Sequence, residues 1–371
     1  MTSSLGARLP DFPWDSLADA RARATAHADG LCDLSVGTPV DPVPQAATTA
    51  LSQAAGRWAG YPTVWGTPAL RSAIRGYLEG RWSSVPLTDR NVLPVVGTKE
   101  LVAALPLQLG VGPGDVVVIP TTAYPTYEVG GLIAGATVVA TDDPDEAVAS
   151  RPRLIWINSP ANPHGAILGA SEMRGWVDAA RSVGAVLASD ECYGEFGWDA
   201  EPVSVLHPEV NGGSLQGVIA AHSLSKRSNL AGFRAGFIAG GEALMAELLE
   251  VRKHSGLMVP GPVQEVMAVL LSDQEHVNEQ RDRYLSRRRL LRPALEAAGF
   301  RIEHSQGSLY LWATRGESGR ASVDRLADIG ILVAPGDFYG EASRDHVRIA
   351  LTATDERIAS AAERLFAADW S

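Results

Sequence analysis

Short apolar segments alternate with longer segments of mixed polarity through the middle of the chain. Seven of the apolar runs have the length and the β-branched content of strands. They are Val92–Val96, Val116–Pro120, Thr137–Thr141, Leu154–Asn158, Val186–Asp190, Val218–His222 and Gly236–Ala239. Several are apolar at every position, which is typical of strands buried on both faces of a parallel sheet. The pattern therefore predicts an α/β fold with one large sheet.

Helical segments are predicted between these strands, for example over Lys99–Leu109 and Glu172–Val183. The C-terminal third has a different pattern. A long polar helix is predicted from Gln264 to Ala298, and it is followed by the strand-like runs Ser308–Ala313 and Val347–Leu351. Fewer strands and more helix in this part indicate a smaller α+β unit.

The chain has 371 residues, a length that favours two domains. We predict that residues 45–270 form the large α/β domain. Residues 1–44 and 271–371 are predicted to form the small domain together.

Composition excludes several classes of protein. The 32 basic and 43 acidic side chains give a net charge of −11, which disfavours nucleic acid as a partner. Cys32 and Cys192 are far apart, so a disulfide scaffold and a cysteine-rich zinc site are excluded, and we expect Cys192 to be a packing residue. No histidine motif indicates a metal. No apolar run has signal-peptide or membrane-spanning length, so we expect a cytoplasmic protein without membrane contact.

Lys226 is the first candidate for chemistry, because it follows an apolar strand in the sequence His222-Ser-Leu-Ser-Lys226. A single lysine at a strand end is usually only an exposed side chain. Here Ser223 and Ser225 add hydroxyl groups, and Arg234 follows eight residues later between small residues. Hydroxyls, a guanidinium and an amine in one place suit a phosphorylated cofactor held next to an amine nucleophile.

Polar residues also follow other strands of the predicted sheet. Asp190 ends one strand, Asn162 lies in a turn after another, and Gly97 and Thr98 begin a helix whose free N–H groups could hold a phosphate. Taken singly, these residues are an ordinary strand end, turn and helix start. Ligands of open α/β sheets bind beyond the carboxyl ends of the strands, so together the residues predict one site at that edge.

Four motifs in order, Asn162-Pro163-x-Gly165, Asp190-x-x-Tyr193, Ser223-x-Ser225-Lys226 and Arg234, resemble the class I/II (fold-type I) pyridoxal-phosphate aminotransferases. The intervals of 28 residues from Asn162 to Asp190 and 33 from Tyr193 to Lys226 also resemble that family. The resemblance extends from about Leu34 to Leu351. It implies a large, mostly parallel seven-stranded sheet domain, a smaller α+β domain and pyridoxal 5'-phosphate as cofactor.

The resemblance also implies roles at the reacting centre. Lys226 would bond to the cofactor aldehyde and then move the Cα proton of the substrate. Asp190 would pair with the pyridine nitrogen and keep it protonated. Asn162 and Tyr193 would donate hydrogen bonds to the ring 3-oxygen, and Tyr124 would stack on the ring.

The other matching positions are expected to bind the cofactor phosphate or the substrate. The residues expected around the phosphate are Gly97, Thr98, Lys99, Ser223 and Arg234, and Ser225 is also expected to bind the cofactor. Arg348 would bind the substrate α-carboxylate with a bidentate guanidinium, with Gly37 and Asn162 beside it. Tyr61 would reach the phosphate in the neighbouring subunit, which implies a homodimer with shared active sites.

Three longer phrases, Tyr61–Arg71, Ser223–Arg234 and His254–Pro262, look like those of succinyldiaminopimelate transaminases. This resemblance implies amino transfer between N-succinyl-L,L-2,6-diaminopimelate and 2-oxoglutarate, in lysine and diaminopimelate biosynthesis. The resemblance also implies that a segment about 30 residues beyond Lys226 approaches the neighbouring active site and contacts the far end of the substrate. Here that segment, Lys253–Pro260, has no arginine, which favours a long substrate over a small dicarboxylate.

Other activities stay open at this point. One is another amino-acid:2-oxoglutarate aminotransferase that acts on aspartate, alanine or aromatic substrates. The others are a fold-type I C–S lyase and a transcription regulator that binds the cofactor without turnover.

Overall fold

The computed structural model describes residues 4–370. Its strands are β1 (Cys32–Asp33), β2 (Val92–Val95), β3 (Val116–Ile119), β4 (Thr137–Ala140), β5 (Leu154–Asn158), β6 (Val186–Asp190), β7 (Val218–Ser223), β8 (Gly236–Gly240), β9 (Arg301–Glu303), β10 (Tyr310–Thr314), β11 (Ile331–Leu332), β12 (Ala334–Pro335) and β13 (Val347–Ala350). Its helices are α1 (Ala18–Thr25), α2 (Gln45–Ala54), α3 (Pro68–Trp82), α4 (Thr98–Gln108), α5 (Thr126–Ala134), α6 (Pro144–Ala149), α7 (Ala170–Val183), α8 (Pro208–Asn211), α9 (Leu224–Arg227), α10 (Glu242–His254), α11 (Gly261–Leu271), α12 (Glu275–Ala297), α13 (Gly319–Asp328) and α14 (Asp355–Ala367).

The seven predicted strands form one sheet in the order β2-β8-β7-β6-β5-β3-β4. Strand β8 runs antiparallel to both of its neighbours, and the other pairs are parallel. The predicted fold class, a large and mostly parallel seven-stranded sheet, is therefore confirmed. For these seven strands, each predicted boundary lies within one residue of the observed one.

Both faces of this sheet are buried. Ile155 and Leu187 belong to a core cluster on one face, whereas Trp156 and Ala188, the residues that follow them, belong to a cluster on the other face. Successive side chains of a strand point to opposite faces, so a strand buried on both sides must be apolar throughout. This is why the central strands have no polar and apolar alternation.

A four-stranded antiparallel sheet, in the order β12-β13-β10-β9, and the short pair β1-β11 form the rest of the strand structure. Their apolar residues join helices α12 to α14 and the N-terminal segment in a third core cluster, which contains Leu17 and Leu34 beside Leu311 and Ile349. The mixed α+β character expected for this part is present. The boundaries of the two domains near residues 44 and 270 stay a prediction.

The predicted long helix from Gln264 to Ala298 is wrong as a single element. The structure has two helices, α11 and α12, which are separated at residues 272–274. The side chain of Asp273 accepts a hydrogen bond from the backbone N–H of Glu275 at 2.9 Å, and it thereby competes with the helical backbone bond. Its carboxylate also contacts Nδ1 of His276 at 2.9 Å.

The carboxyl ends of β5, β6 and β7 lie side by side, since Asn158 pairs with Asp190 and Asp190 pairs with Ala221. The chain segments that follow these strands therefore meet at one edge of the large sheet. Among residues 4–370, no helix is both long and apolar enough to cross a membrane.

Candidate active site

A cavity of about 740 Å³ lies at this edge of the large sheet. It brings together most of the predicted site residues, from the segments that follow five strands of the large sheet, from the small antiparallel sheet and from the N-terminal segment. The predicted residues that line it are Gly37, Thr98, Lys99, Tyr124, Asn162, Asp190, Tyr193, Ser223, Ser225, Lys226, Arg234 and Arg348. The roles assigned to them from the sequence stay predictions.

Lys226 lies in the short helix α9, which begins directly after β7. The side chain of Ser223 caps this helix by accepting the backbone N–H of Ser225 at 3.1 Å. The Lys226 amine donates a hydrogen bond to the carbonyl oxygen of Gly37. Burial lowers the pKa of the Lys226 amine below its ordinary value, because the charged form loses its water, and the Arg348 guanidinium lowers it further. An amine that loses its proton more easily is a better nucleophile and base.

Asp190 ends β6 and is buried. It accepts hydrogen bonds from the Tyr127 hydroxyl at 2.8 Å and from the backbone N–H of Cys192 at 3.1 Å. Burial raises the pKa of this carboxyl, and the two hydrogen bonds oppose the rise. The nearby His222 pairs with Glu191 at 3.1 Å. In the part of the chain that the structure describes, Asp190 therefore has no ion-pair partner, and it can pair with a cationic ring nitrogen.

The guanidinium of Arg234 approaches the backbone closely at Gly97, two residues after the end of β2. A Cβ atom at residue 97 would lie 2.3 Å from Nη2 of Arg234, and Gly97 has a φ of +78°. Helix α4 begins at the next residue, Thr98, so its unpaired N–H groups face the same region. Arg234 itself has a φ of +55°, and its Nη1 donates to the carbonyl of Ala231 at 2.8 Å. A phosphate would find three kinds of donor here, which are the Arg234 guanidinium, the N-terminus of α4 and the hydroxyls of Ser223 and Ser225.

Arg348 comes from β13 of the small antiparallel sheet and is buried at the cavity. Its Nη1 donates to the side-chain oxygen of Asn162 at 2.8 Å, and its Nη2 donates to the carbonyl of Ser35 at 2.7 Å. Its Nε is buried without a hydrogen-bond partner among the described residues. An unpaired donor on a buried cation suits a carboxylate ligand.

Two tyrosines complete the wall beside Arg348. The guanidinium carbon lies 4.0 Å from the ring centroid of Tyr310, and the hydroxyls of Tyr310 and Tyr193 are 2.8 Å apart. Gly37 must be glycine here, because a Cβ atom would lie 2.0 Å from the Tyr310 hydroxyl oxygen. Burial raises the pKa of Tyr193 well above its ordinary value, and Tyr310 raises it further. The Tyr193 hydroxyl is therefore a protonated donor near neutral pH.

Sequence reasoning missed several residues of the cavity. Tyr127 and Tyr310 were given no role, although Tyr127 lies in the same short motif as Tyr124 and could have been found there. No motif indicated Phe12, Trp14 and Arg21, whereas Val36 and Thr38 flank the predicted Gly37. Cys192 lies in the lining, with its Sγ 3.3 Å from the Thr98 hydroxyl. Burial raises the pKa of its thiol, as expected for a packing residue and not for a nucleophile.

Two predicted residues, Gly97 and Tyr61, lie outside the lining, and Lys99 lies in it beside Phe12. Gly97 lies behind Arg234, as described above. Tyr61 is 95% exposed and does not reach the cavity of its own chain. The amine of Lys99 lies 5.6 Å from the ring centroid of Phe12. Among the described residues, no group of histidine, cysteine or acidic side chains could hold a metal ion.

Comparison with known proteins shows one family and several full-length relatives. The sequence model of the family described as aminotransferase class I and II matches residues 29–365. A probable aminotransferase of Mycobacterium tuberculosis is 54% identical over 361 residues, which cover 97% of this chain and 86% of the relative. A 4-dedimethylamino-4-oxo-anhydrotetracycline transaminase of Streptomyces rimosus is 55% identical over 357 residues, or 96% of this chain and 99% of the relative.

A solved structure is also similar. The probable N-succinyldiaminopimelate aminotransferase of Thermus thermophilus superposes with a TM-score of 0.86 and is 27% identical. The match covers 96% of this chain and 99% of that protein.

Proposed function

From the premise that the chain belongs to the class I and II aminotransferases, which depend on pyridoxal phosphate, we propose that its substrates are N-succinyl-L,L-2,6-diaminopimelate and 2-oxoglutarate. The observation that carries the proposal is the cavity itself, which is lined by both the Lys226 amine and the buried Arg348 guanidinium. A site for an α-amino acid requires an amine next to the reacting amino group and a cation that binds the carboxylate. The similar Thermus structure, named for this succinylated substrate, supports the finer choice.

The chain's own residues divide the work around the substrate Cα. When bound, pyridoxal phosphate supplies an aldehyde that condenses with amines and a ring that accepts the electron pair left by a departing proton. Lys226, as an uncharged amine, removes the proton from Cα and returns a proton later. Asp190 keeps the ring nitrogen protonated through its buried negative charge. Arg348 holds the α-carboxylate, and its bond to Asn162 fixes the position of both side chains.

The remaining positions hold the cofactor. The residues proposed to bind the cofactor at its phosphate end are Gly97, Thr98, Lys99, Ser223, Ser225 and Arg234. The close contact of Gly97 with Arg234 supports this set. Tyr124 is proposed to stack on the ring, and Tyr193 and Asn162 to donate to the ring oxygen. The almost complete exposure of Tyr61 supports its proposed role at the cofactor of a second subunit, and thus a homodimer.

The distal part of the substrate is proposed to be long. The segment Lys253–Pro260, which the family resemblance places near the neighbouring active site, contains the cation Lys253. The amine of Lys253 lies 2.6 Å from Oε1 of Glu250, and both side chains are largely exposed to solvent. The segment has no arginine, whose planar fork would suit a short distal carboxylate, and this supports a longer substrate.

A second candidate is amination of a polycyclic aromatic ketone. The observation in its favour is the 55% identity with the Streptomyces rimosus transaminase over nearly the whole chain. The aromatic side chains Phe12 and Trp14 in the cavity lining would suit a flat apolar substrate.

Steady-state kinetics of the holoenzyme would decide between these substrates. We expect kcat/KM for N-succinyl-diaminopimelate with 2-oxoglutarate to exceed that for aspartate by at least about 100-fold, or about 2.7 kcal/mol. Equal or better use of aspartate would contradict the succinylated substrate. Amination of an anhydrotetracycline 4-ketone from glutamate, with a higher kcat/KM than the succinylated keto acid, would favour the second candidate.

A further inference from the structure

The N-terminal segment forms one side of the cavity mouth. Phe12, Trp14 and Arg21 line it, and the first two are aromatic residues whose ring centroids are 5.6 Å apart. Trp14 is fixed from behind by Phe338 at 5.2 Å, whereas Phe12 is 55% exposed. An exposed aromatic ring beside a partly buried one provides an apolar surface for a bound molecule.

Arg21 is a cation held at this mouth by one partner. Its Nη1 lies 2.9 Å from Oδ2 of Asp33, and its side chain is 45% exposed. Oδ1 of Asp33 accepts the backbone N–H of Ser35 at 3.0 Å, so the carboxylate that orients Arg21 is itself fixed. A guanidinium has five N–H donors in a planar fork, and the bond to Asp33 leaves donors for a second carboxylate.

The same short stretch of chain also positions Arg348. Arg21 is held by the side chain of Asp33, and Arg348 is held by the carbonyl of Ser35. Asp33 and Ser35 are two residues apart, so their Cα atoms lie within about 7 Å of each other. The Arg348 guanidinium is buried and the Arg21 side chain is half-exposed. Trp14 lies beside Arg348, with its ring centroid 5.9 Å from the guanidinium carbon.

We propose that Arg21 binds the distal carboxylate of the substrate, while Phe12 and Trp14 contact the apolar chain between the two carboxylates. This inference rests on the proposed function and deepens it, because it defines the substrate class as amino acids with a second carboxylate beyond a long apolar spacer. Such a ligand places one carboxylate on Arg348 and the other on Arg21. A planar fork binds a carboxylate in two hydrogen bonds, which an amine cannot do.

Lys99 is the other cation at the mouth, and its amine lies beside Phe12. It provides the competing explanation for any preference for dicarboxylates. The two residues can be separated, because Arg21 belongs to α1 and Lys99 to α4.

The test measures binding of two unreactive acids to the holoenzyme by isothermal titration calorimetry. Pimelate has a carboxylate at both ends, and heptanoate has the same chain length with one carboxylate. We expect the wild-type protein to bind pimelate at least tenfold more tightly than heptanoate. Arg21→Gln should reduce this ratio to near one through weaker pimelate binding, with the affinity for heptanoate unchanged.

Arg23→Gln is the matched control. Arg23 lies in the same helix with a similar exposure of 44%, and it pairs with Asp324 and Asp328 away from the cavity. This variant should keep the wild-type ratio. The proposal is overturned if Arg21→Gln weakens both acids equally or leaves both unchanged, or if Lys99→Gln removes the preference while Arg21→Gln does not.

These outcomes are distinct from failure of the proposed function. A wild-type preference for pimelate that depends on Arg21, together with no turnover of N-succinyl-diaminopimelate, would overturn only the proposed substrate. Turnover of that substrate with an unchanged KM in Arg21→Gln would overturn only the role of Arg21.

Discussion

The hydroxyl of Tyr127, in the first turn of α5, donates a hydrogen bond to Oδ2 of Asp190 at the end of β6 across 2.8 Å. The Tyr127 ring is held in place by stacking on Trp156, with centroids 5.0 Å apart. Burial raises the pKa of Asp190, and the hydrogen bond from Tyr127 lowers it. Tyr127 thus helps to keep the buried carboxylate ionised, and it does so without lying next to it in sequence.

Tyr127→Phe should therefore move the acid side of the pH–rate profile. Without the hydrogen bond the pKa of Asp190 rises, and activity, which needs the ionised carboxylate, is lost at a higher pH as the solution is acidified. A hydrogen bond to a charged group contributes about 1.5–3 kcal/mol, so we expect a shift of about 1 pH unit or more. The measurement is kcat against pH in the holoenzyme.

Tyr77→Phe is the control for this change. Tyr77 is also a buried tyrosine that donates to a carboxylate, Glu195 at 2.9 Å, but it does not line the cavity. The Tyr77→Phe variant should lose about as much thermal stability as Tyr127→Phe does. The acid side of its pH–rate profile should stay as in the wild type. An unshifted profile in Tyr127→Phe would mean that another group sets the protonation of Asp190.

Gly97→Ala should weaken cofactor binding. The new Cβ would lie 2.3 Å from Nη2 of Arg234, so the guanidinium must leave its position. Loss of one charge-assisted hydrogen bond to the phosphate should raise the dissociation constant of pyridoxal phosphate at least tenfold, as measured by equilibrium dialysis.

The control for the backbone strain in this variant is Gly110→Ala. Gly110 has a similar φ of +70°, and a Cβ there meets no heavy atom within 4 Å. Both variants should lose about 1 kcal/mol of folding stability, since both force alanine into a left-handed conformation. If both weaken cofactor binding equally, the contact with Arg234 is not the cause.

Lys226→Ala should retain cofactor but lose turnover. The phosphate contacts do not involve the amine, whereas both attachment of the cofactor and movement of the Cα proton require it. Lys226→Arg should be equally inactive, since guanidinium keeps the charge and cannot act as the amine. Single-turnover kinetics and cofactor absorbance are the measurements, and more than about 1% of wild-type kcat in either variant would disprove the role of Lys226.

The proposed sharing of sites predicts complementation between defective subunits. Tyr61→Phe and Lys226→Ala subunits in one dimer would place both defects in one site and leave the other intact, if Tyr61 serves the neighbouring cofactor. Random exchange of equal amounts makes about half of the dimers mixed. At limiting cofactor, about a quarter of wild-type activity should therefore return. If mass spectrometry verifies the subunit exchange and activity does not rise, Tyr61 acts in the site of its own subunit or in neither site.

The sequence alone determined the large sheet and the residues at its carboxyl edge. A strand buried on both faces must be apolar throughout, so runs such as Leu154–Asn158 could be recognised without knowledge of their neighbours. Parallel strands end at the same edge, and this rule was enough to group Asp190 and Lys226 before any distance was known. The break between α11 and α12 was missed because it depends on the side chain of one residue, Asp273, within a continuous polar pattern.

Only the tertiary structure decided what completes the cavity. Tyr310, to which the sequence assigned no role, contacts Tyr193 across 117 positions of sequence. Arg21 and Phe12 reach the mouth because the N-terminal segment packs in the same core as β10 and β13. No periodicity or short motif encodes such contacts, since they arise from the packing of separate sheets against each other. The sequence therefore determined which edge of the sheet carries the candidate site, and the packing of the N-terminal segment and the small sheet decided which further side chains line the cavity.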